Sequence, residues 1–386
     1  MLANLLRAVR NNPRIEAHQT ETIPQPATQS IQPGTSVTSD RIVRLASNLS
    51  SDRLGTLKRM LLEDRGYVAP DIVTKRLFDS VLDTNTGLVV LPGGELESSA
   101  SHIASYYVDT RQPNLAQQVR KAAQTEIKER AIHVFHRSCG AYGHFLLDGL
   151  CALALSRQMV RSEGLKIIVP KFLPRRVQEV LVELGFPPEQ LIVTEGKVLV
   201  RDMSLSNMLT GVNSFKPRQD IISCLREFTD AKRNATPSRR IYLTREGAYS
   251  PRTARNEVEV VSEFQAHGFE LVSPAYLSFR EQIDLFSQAK VIAGNHGSAF
   301  ANMVFSPPCA QIIDLMPEHW VGYWGDTGYA ERWLLNLTAA CDHNYTVILS
   351  PSEMSGGPCL PNAPSELAAI KSTTDLDAVR SVLTTL

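Results

Sequence analysis

The sequence has no apolar run long enough to cross a bilayer, no Cys-x-x-Cys pair and no excess of charge of either sign. Each absence excludes something. A spanning helix needs about 20 consecutive apolar residues, and the N-terminal MLANLLRAVRNNPRIEAH turns polar well before that. The same stretch lacks the apolar core of a secretory signal. Six cysteines, at 139, 151, 224, 309, 341 and 359, are scattered without metal-type spacing. They imply neither a zinc site nor a disulfide framework and fit a reducing compartment. Forty basic residues balance forty acidic ones, so no nucleic-acid surface is expected and the partners read as small or neutral. There is no convincing internal repeat. The four Asn-x-Ser/Thr sequons, at Asn48, Asn234, Asn336 and Asn344, read as chance in a chain with no export signal.

What is present is enough for a large α/β protein. With 386 residues and 43% apolar content, two domains of ordinary size with real cores are expected. Leu2, Leu5, Leu6 and Val9 fall at helical spacing opposite Arg7 and Arg10, the pattern of a short amphipathic surface helix. Residues 19–39, rich in Thr, Gln, Ser and Pro, read as a disordered linker. From about 40 to 85 the pattern is helical and charged, a lead-in to the first domain; LVVLPGG at 88–94 reads as strand and turn. Between 130 and 205 strands (AIHVFH, LKIIVP, LIVTEG, KVLVRDMSLS) alternate with helices (GHFLLDGLCALALSRQMVRSEG, Arg175 to Leu184). A second series follows a connector near Asn234 to Ser238: IYLTR, ARNEVEVVSEFQAHG, FELVSP, SFREQIDLFSQA, KVIAG, AQIIDLMP, a helix near Ala330 to Ala340, YTVILS and a C-terminal helical segment. Such alternation argues for parallel sheets with covered faces. The expected division is a flexible segment at 1–40, a first domain with its helical lead-in at 41–235, and a second domain at 236–386.

The second series is organised around KVIAGNHGSAFANMVFSPP, which reads as strand, loop and helix stopped by Pro307 and Pro308. Loops at the carboxyl ends of strands in α/β proteins let ligands approach the backbone, and a new helix offers unpaired N–H groups to anions. Asn295, His296, Gly297 and Ser298 are therefore candidates for a phosphate or diphosphate; the competing reading is an ordinary βα connection. Upstream, Arg245 stands just past a strand end, with Arg252, Arg255 and Asn256 in the next loop and first helical turn. Arginine forks onto phosphate oxygens with bidentate geometry, so the two loops together read as a diphosphate clamp. Singly, each arginine is as well explained by a solvated loop.

The run from Arg239 to Pro317 resembles the C-terminal half of the glycosyltransferase family 61 domain. The landmarks are Arg245, the pair Arg255-Asn256, GFELVSP, Ser278-Phe279 with Glu281-Gln282, and His296-Gly297 followed by Asn302 and Phe305. Upstream, AYGHFLLDGL looks like the family's other landmark, an aromatic-Gly-His-aromatic run with an Asp beyond, so the likeness covers roughly residues 130–320. One departure is Ser298 where the family loop usually has Ala; a hydroxyl there can still bind phosphate or cap the helix. The resemblance implies a GT-B type enzyme: two Rossmann-like domains facing a cleft, with a nucleotide-sugar, commonly a UDP-sugar, in the C-terminal one. It implies an inverting, metal-independent transferase with no further cofactor, whose partners are the nucleotide-sugar donor and a glycan or polysaccharide acceptor. Bacterial relatives are often associated with capsule or other surface polysaccharide assembly. The localisation that follows is cytoplasmic, with peripheral association at the inner face of the membrane through the N-terminal segment.

An inverting transfer is a single displacement that needs a general base at the acceptor and positive charge or N–H dipoles on the leaving group. No Asp-x-Asp metal motif precedes a suitable loop, so the arginines and the helix start would have to replace Mg²⁺. For the base, His144 and Asp148 stand four apart at a predicted helix start, on one face and within reach of each other. Either His144 acts with Asp148 orienting it, or Asp148 is the base, or the pair only packs the helix. His136 is a weaker candidate for the base and reads more readily as strand-end structure, and Cys139 reads as a small buried residue. Glu281 either reaches ribose hydroxyls or caps its helix in the Ser278 capping box; His296 either binds phosphate or holds the loop; Asn302 pins the loop. Trp320, Tyr323, Trp324 and Tyr329 either stack on a sugar ring or pack. Two rival functions are weighed: a non-catalytic nucleotide- or glycan-binding relative, and a hydrolase, for which HGSAFA lacks the glycines flanking the serine of a nucleophile elbow.

Overall fold

The computed structural model describes residues 29–37, 41, 43–47, 55, 67–100, 108–210, 216–232, 236–247, 254–320, 329–353 and 370–386. By its internal contacts the chain divides into two compact units, one of Met1–Gly34 with Pro70–Val212, the other of Thr35–Ala69 with Asn213–Leu386. Among the described residues no helix is long and apolar enough to cross a membrane.

The first unit is built on a mixed sheet. Its strands are β1 (Gln29–Gln32), β5 (Ile72–Asp83), β6 (Leu88–Val90), β7 (Thr125–His133), β8 (Lys166–Pro170), β9 (Leu191–Thr194) and β10 (Lys197–Ser206). They lie in the order β1-β5-β10-β7-β8-β9, with β6 on β5. The pairs β10–β7, β7–β8 and β8–β9 are parallel, as the alternating pattern requires; β5 is antiparallel to β10, β1 and β6. The helices are α1 (Leu115–Lys121), α2 (Cys151–Ser162) and α3 (Arg175–Glu183). Leu82, Val89, Ile127, Ile168, Val198 and Met203 form the core. Removing such side chains from water is the main favourable term.

The second unit carries β11 (Arg239–Leu243), β12 (Glu270–Val272), β13 (Ala289–Asn295), β14 (Gln311–Pro317) and β15 (Asn344–Ser350). The early strand β3 (Val43–Ala46) closes one edge, giving the order β12-β11-β13-β14-β15-β3 with every pair parallel. Two short strands, β2 (Thr35–Val37) and β4 (Tyr67–Ala69), pair antiparallel beside it. The helices are α4 (Gln219–Phe228), α5 (Glu257–Ala266), α6 (Phe279–Ser287), α7 (Tyr329–Cys341) and α8 (Leu376–Leu383). Tyr242, Ala293, Ile313, Leu315 and Ile348 pack with Val260 and Phe264 of α5 and with Val379 and Leu383 of α8. Counted from β11, the strand order is 2-1-3-4-5, one of the two common doubly wound orders. In that order the chain reverses direction between the first and third strands, and ligands bind outside the carboxyl ends of those two. Arg245 follows β11 and His296 follows β13, so the candidate loops stand at the switch point.

Two N-terminal expectations are corrected. Residues 29–37 are not a disordered linker but two strands, QSIQ on β5 and TSV on β4. Edge strands gain mainly backbone hydrogen bonds, so a polar composition does not forbid them. The helical lead-in expected at 40–85 is strand at 43–46, 67–69 and 72–83. The β-branched Ile72, Val73, Thr74 and Val81 fit a pleated strand, and a partner on each side of β5 outweighs the helical spacing. Most of the LGTLKRMLLEDRG stretch and the amphipathic N-terminal segment lie outside the described residues.

Candidate functional site

In the first unit, β7 runs into a short 3₁₀ turn (Arg137–Gly140) and then a helix entry. Tyr142–His144 is α-helical, Phe145–Leu150 forms a π turn, and α2 continues from Cys151. A π turn inside an α-helix widens one turn and is frequent at functional sites. Gly149 lets it pack, because a Cβ there would come within 2.6 Å of the buried Phe135 ring. The turn carries Asp148, fully buried, between two imidazoles. Nδ1 of His144 lies 2.8 Å from Asp148 Oδ2 and Nε2 of His136 lies 3.2 Å from the same oxygen.

The partners fix the tautomers. Ser138 N–H donates to His136 Nδ1 at 3.2 Å, so the His136 proton sits on Nε2 and points at Asp148. Burial alone would push the Asp148 carboxyl up; the hydrogen bonds and charge of His136 and His144 overcome this and hold it well below the usual carboxylate range. An ionised Asp148 accepts from Nδ1–H of His144, which leaves the His144 lone pair on Nε2. His136 is 2% exposed, Asp148 0% and His144 25%, so His144 is the member that reaches solvent. Burial, working against the hydrogen bond and charge of Asp148, pushes His136 down. The ligand-type atoms of these three residues lie within 4.8 Å of one another. The donor set suits proton transfer better than a cation, because His136 would have to ligate through the nitrogen that carries its proton. Burial pushes the Cys139 thiol well up, as befits a packed residue and not a nucleophile.

In the second unit, the loop after β13 is held from three sides. His296 donates from Nδ1 to Asp314 Oδ2 at 2.8 Å and accepts the Trp333 indole N–H on Nε2 at 3.1 Å, while Tyr345 donates to the same Asp314 oxygen at 2.8 Å. Both imidazole nitrogens are thus engaged, which makes His296 a loop anchor in this structure. Asn295 is engaged as well: its amide donates to Glu257 at 2.8 and 3.0 Å, on the face covered by α5. Gly297 is itself buried, and Ser298 is the first partly exposed residue of the loop. A Cβ on Gly297 would collide with Nη1 of Arg245, whose guanidinium lies over it and donates to the His296 carbonyl at 3.3 Å. Arg245 and the His296-Gly297-Ser298 backbone are therefore brought together. Residues 298–305 form a 3₁₀ helix and not an α-helix.

Other candidates are placed elsewhere. Asn256 exchanges hydrogen bonds with the Thr374 backbone at 2.8 and 2.9 Å, pinning the C-terminal segment to α5, and Arg255 pairs with Glu353. Arg252 lies outside the described residues, as do Tyr323 and Trp324. Glu281 completes the capping box, accepting from Ser278 N–H at 2.7 Å, and also lines a surface cleft. Asn302 donates to Gln282 at 2.8 Å, joining the loop helix to α6. The Trp320 ring stands 6.4 Å from that of His296. Two participants, Asp314 and Trp333, have no place in the sequence reading, and His136, the weaker candidate there, is a partner of Asp148. Asp314 left a usable signal, a carboxylate inside the apolar run AQIIDLMP; Trp333 left none.

Residues 142–313 fit the family model described as Glycosyltransferase 61, which supports glycosyltransferase family 61 and with it glycosyl transfer as the class of activity. That span begins at the His144 helix and contains β13 and its loop. No curated protein matches the chain.

Proposed function

We propose that the chain is an inverting, metal-independent glycosyltransferase of GT-B type that moves a sugar from a UDP-sugar to a glycan hydroxyl. The observation that carries the reading is the His136–Asp148–His144 arrangement, which orients one partly exposed imidazole with its lone pair on Nε2. In the transfer, His144 Nε2 takes the proton of the acceptor hydroxyl as that oxygen bonds to the anomeric carbon. The bond from that carbon to the diphosphate oxygen breaks, and UDP leaves with the electron pair. Asp148 stabilises the imidazolium that forms. Arg245 and the backbone at Gly297 and Ser298 take the charge that develops on the leaving diphosphate. His296 positions that loop. A role in surface or capsular polysaccharide assembly rests on the family resemblance, and free thiols at Cys139, Cys151, Cys224, Cys309 and Cys341 fit a cytoplasmic setting.

The test is a screen of nucleotide-sugars against glycan acceptors, read as release of nucleotide in the presence of EDTA. Release from at least one UDP-sugar that is lost in His144→Gln is expected. Binding of UDP with no release from any donor would replace this reading with that of a non-catalytic binding relative.

A further inference from the structure

The second unit carries a cleft that the diphosphate loop does not use. It runs between the edge strand β12 and α6, holds about 600 Å³, and is lined by Glu246, Leu271, Tyr276, Glu281, Asp284 and Leu285 among others. That volume lies within the range of small-molecule sites. Two exposed large apolar side chains line it, Tyr276 at 66% and Leu271 at 41%. The Tyr276 ring is held in place: it packs on Gly247, where a Cβ would come within 2.9 Å of the ring, and Ser273 Oγ donates to the Glu246 carbonyl at 2.5 Å. Gly247 adopts φ +69°, a conformation that favours glycine. The 245–247 turn therefore joins the Arg245 guanidinium to the Tyr276 ring through two peptide links.

Charge separates the two ends. The cleft has the carboxylates of Glu246, Glu281 and Asp284, while its one arginine, Arg239, is paired with Glu270 at 2.5 Å. A diphosphate is repelled from such a lining and attracted to Arg245. A neutral group with hydroxyls to donate and a flat ring to stack is what the cleft accommodates. We propose that this cleft takes the nucleoside of the donor, with Tyr276 stacked on the base and Glu281 and Glu246 accepting the ribose hydroxyls. The proposal rests on the nucleotide-sugar reading above. It extends Glu281 beyond its capping role: the capping box uses Oε2, and a carboxylate has a second oxygen. It also sets the direction of the donor, base toward β12 and phosphates toward β13.

Calorimetry on the full chain with UDP and, separately, with inorganic pyrophosphate tests it. Stacking on an aromatic is worth enough that Tyr276→Ala should weaken UDP by about tenfold or more and leave pyrophosphate unchanged. Glu281→Gln, which retains the capping box, should weaken UDP about fivefold, again without effect on pyrophosphate. Arg245→Ala should weaken both ligands. If Tyr276→Ala and Glu281→Gln bind UDP as the wild type does while Arg245→Ala does not, the cleft is not the nucleoside site and the nucleotide reading stands. Equal loss of both ligands in Tyr276→Ala would overturn the assignment as a general perturbation of the loop. A wild-type chain that binds neither ligand would remove the nucleotide reading and this proposal with it.

Discussion

His144 Nδ1 and Asp148 Oδ2 lie 2.8 Å apart across one helical turn, and the same oxygen receives His136 Nε2 from outside the helix. Asp148 is thereby an orienting anion and a poor base, since the hydrogen bonds from the two imidazoles overcome its burial and hold its proton off. Asp148→Asn, which keeps the shape and removes the charge, should lower kcat by about 10²- to 10⁴-fold with little change in donor KM. Steady-state nucleotide release measures the split. A variant that turns over at the wild-type rate would show that the pair only packs the helix.

Gly297→Ala separates binding from folding. The backbone there is extended at φ 166°, so alanine brings no conformational strain, and the atom it meets is the mobile end of the Arg245 side chain. Thermal unfolding should therefore shift by no more than about 0.5 kcal/mol. The displaced guanidinium should cost about tenfold in UDP affinity, the scale of a hydrogen bond to a charged group. Calorimetry and a melting curve on one preparation decide it, and unchanged UDP affinity would detach Arg245 from the diphosphate.

His133 gives the first unit an acid-sensitive core. It is fully buried, neither ring nitrogen has a partner among the described residues, and burial, with the nearby His136 charge second, pushes its pKa down to about 3. An unfolded histidine titrates near 6.5. Between about pH 6.5 and 3 the unfolded chain takes up a proton that the folded one refuses, so stability falls as the pH drops through that window. His133→Leu should lose about 2 kcal/mol less than the wild type between pH 7 and pH 5, measured by urea unfolding at each pH. Equal acid losses in the two proteins would place the titrating group elsewhere.

The readable parts of the molecule were those whose causes are local. LKIIVP and AQIIDLMP are apolar runs that only a covered strand explains, the Ser278–Glu281 box marks a helix start, and His144 and Asp148 meet because helices bring i and i+4 together. The parts that escaped depend on partners far along the chain. His136 reaches Asp148 only after the 3₁₀ turn folds back, and the Asn256 amide is committed to Thr374, a residue that nothing near Asn256 announces. Asn295 looked like a loop ligand because its number puts it in the loop. The pleat turns its side chain toward α5 and Glu257, and period-2 alternation at a strand end decides that by a single residue. β1 lies at the edge of its sheet and β2 in a two-stranded pair, and no apolar alternation marks either of them.

The pairing of β3 with β15 also orders events in time. Val43–Ala46 leaves the ribosome about 300 residues ahead of the strand it will lie against, and the sheet of the first unit, β5 to β10, is synthesised in between. The first sheet can close while the second still waits for its last neighbour. A chain cut short before Asn344 lacks the strand that β3 pairs with, and that edge is then open to pairing with another chain.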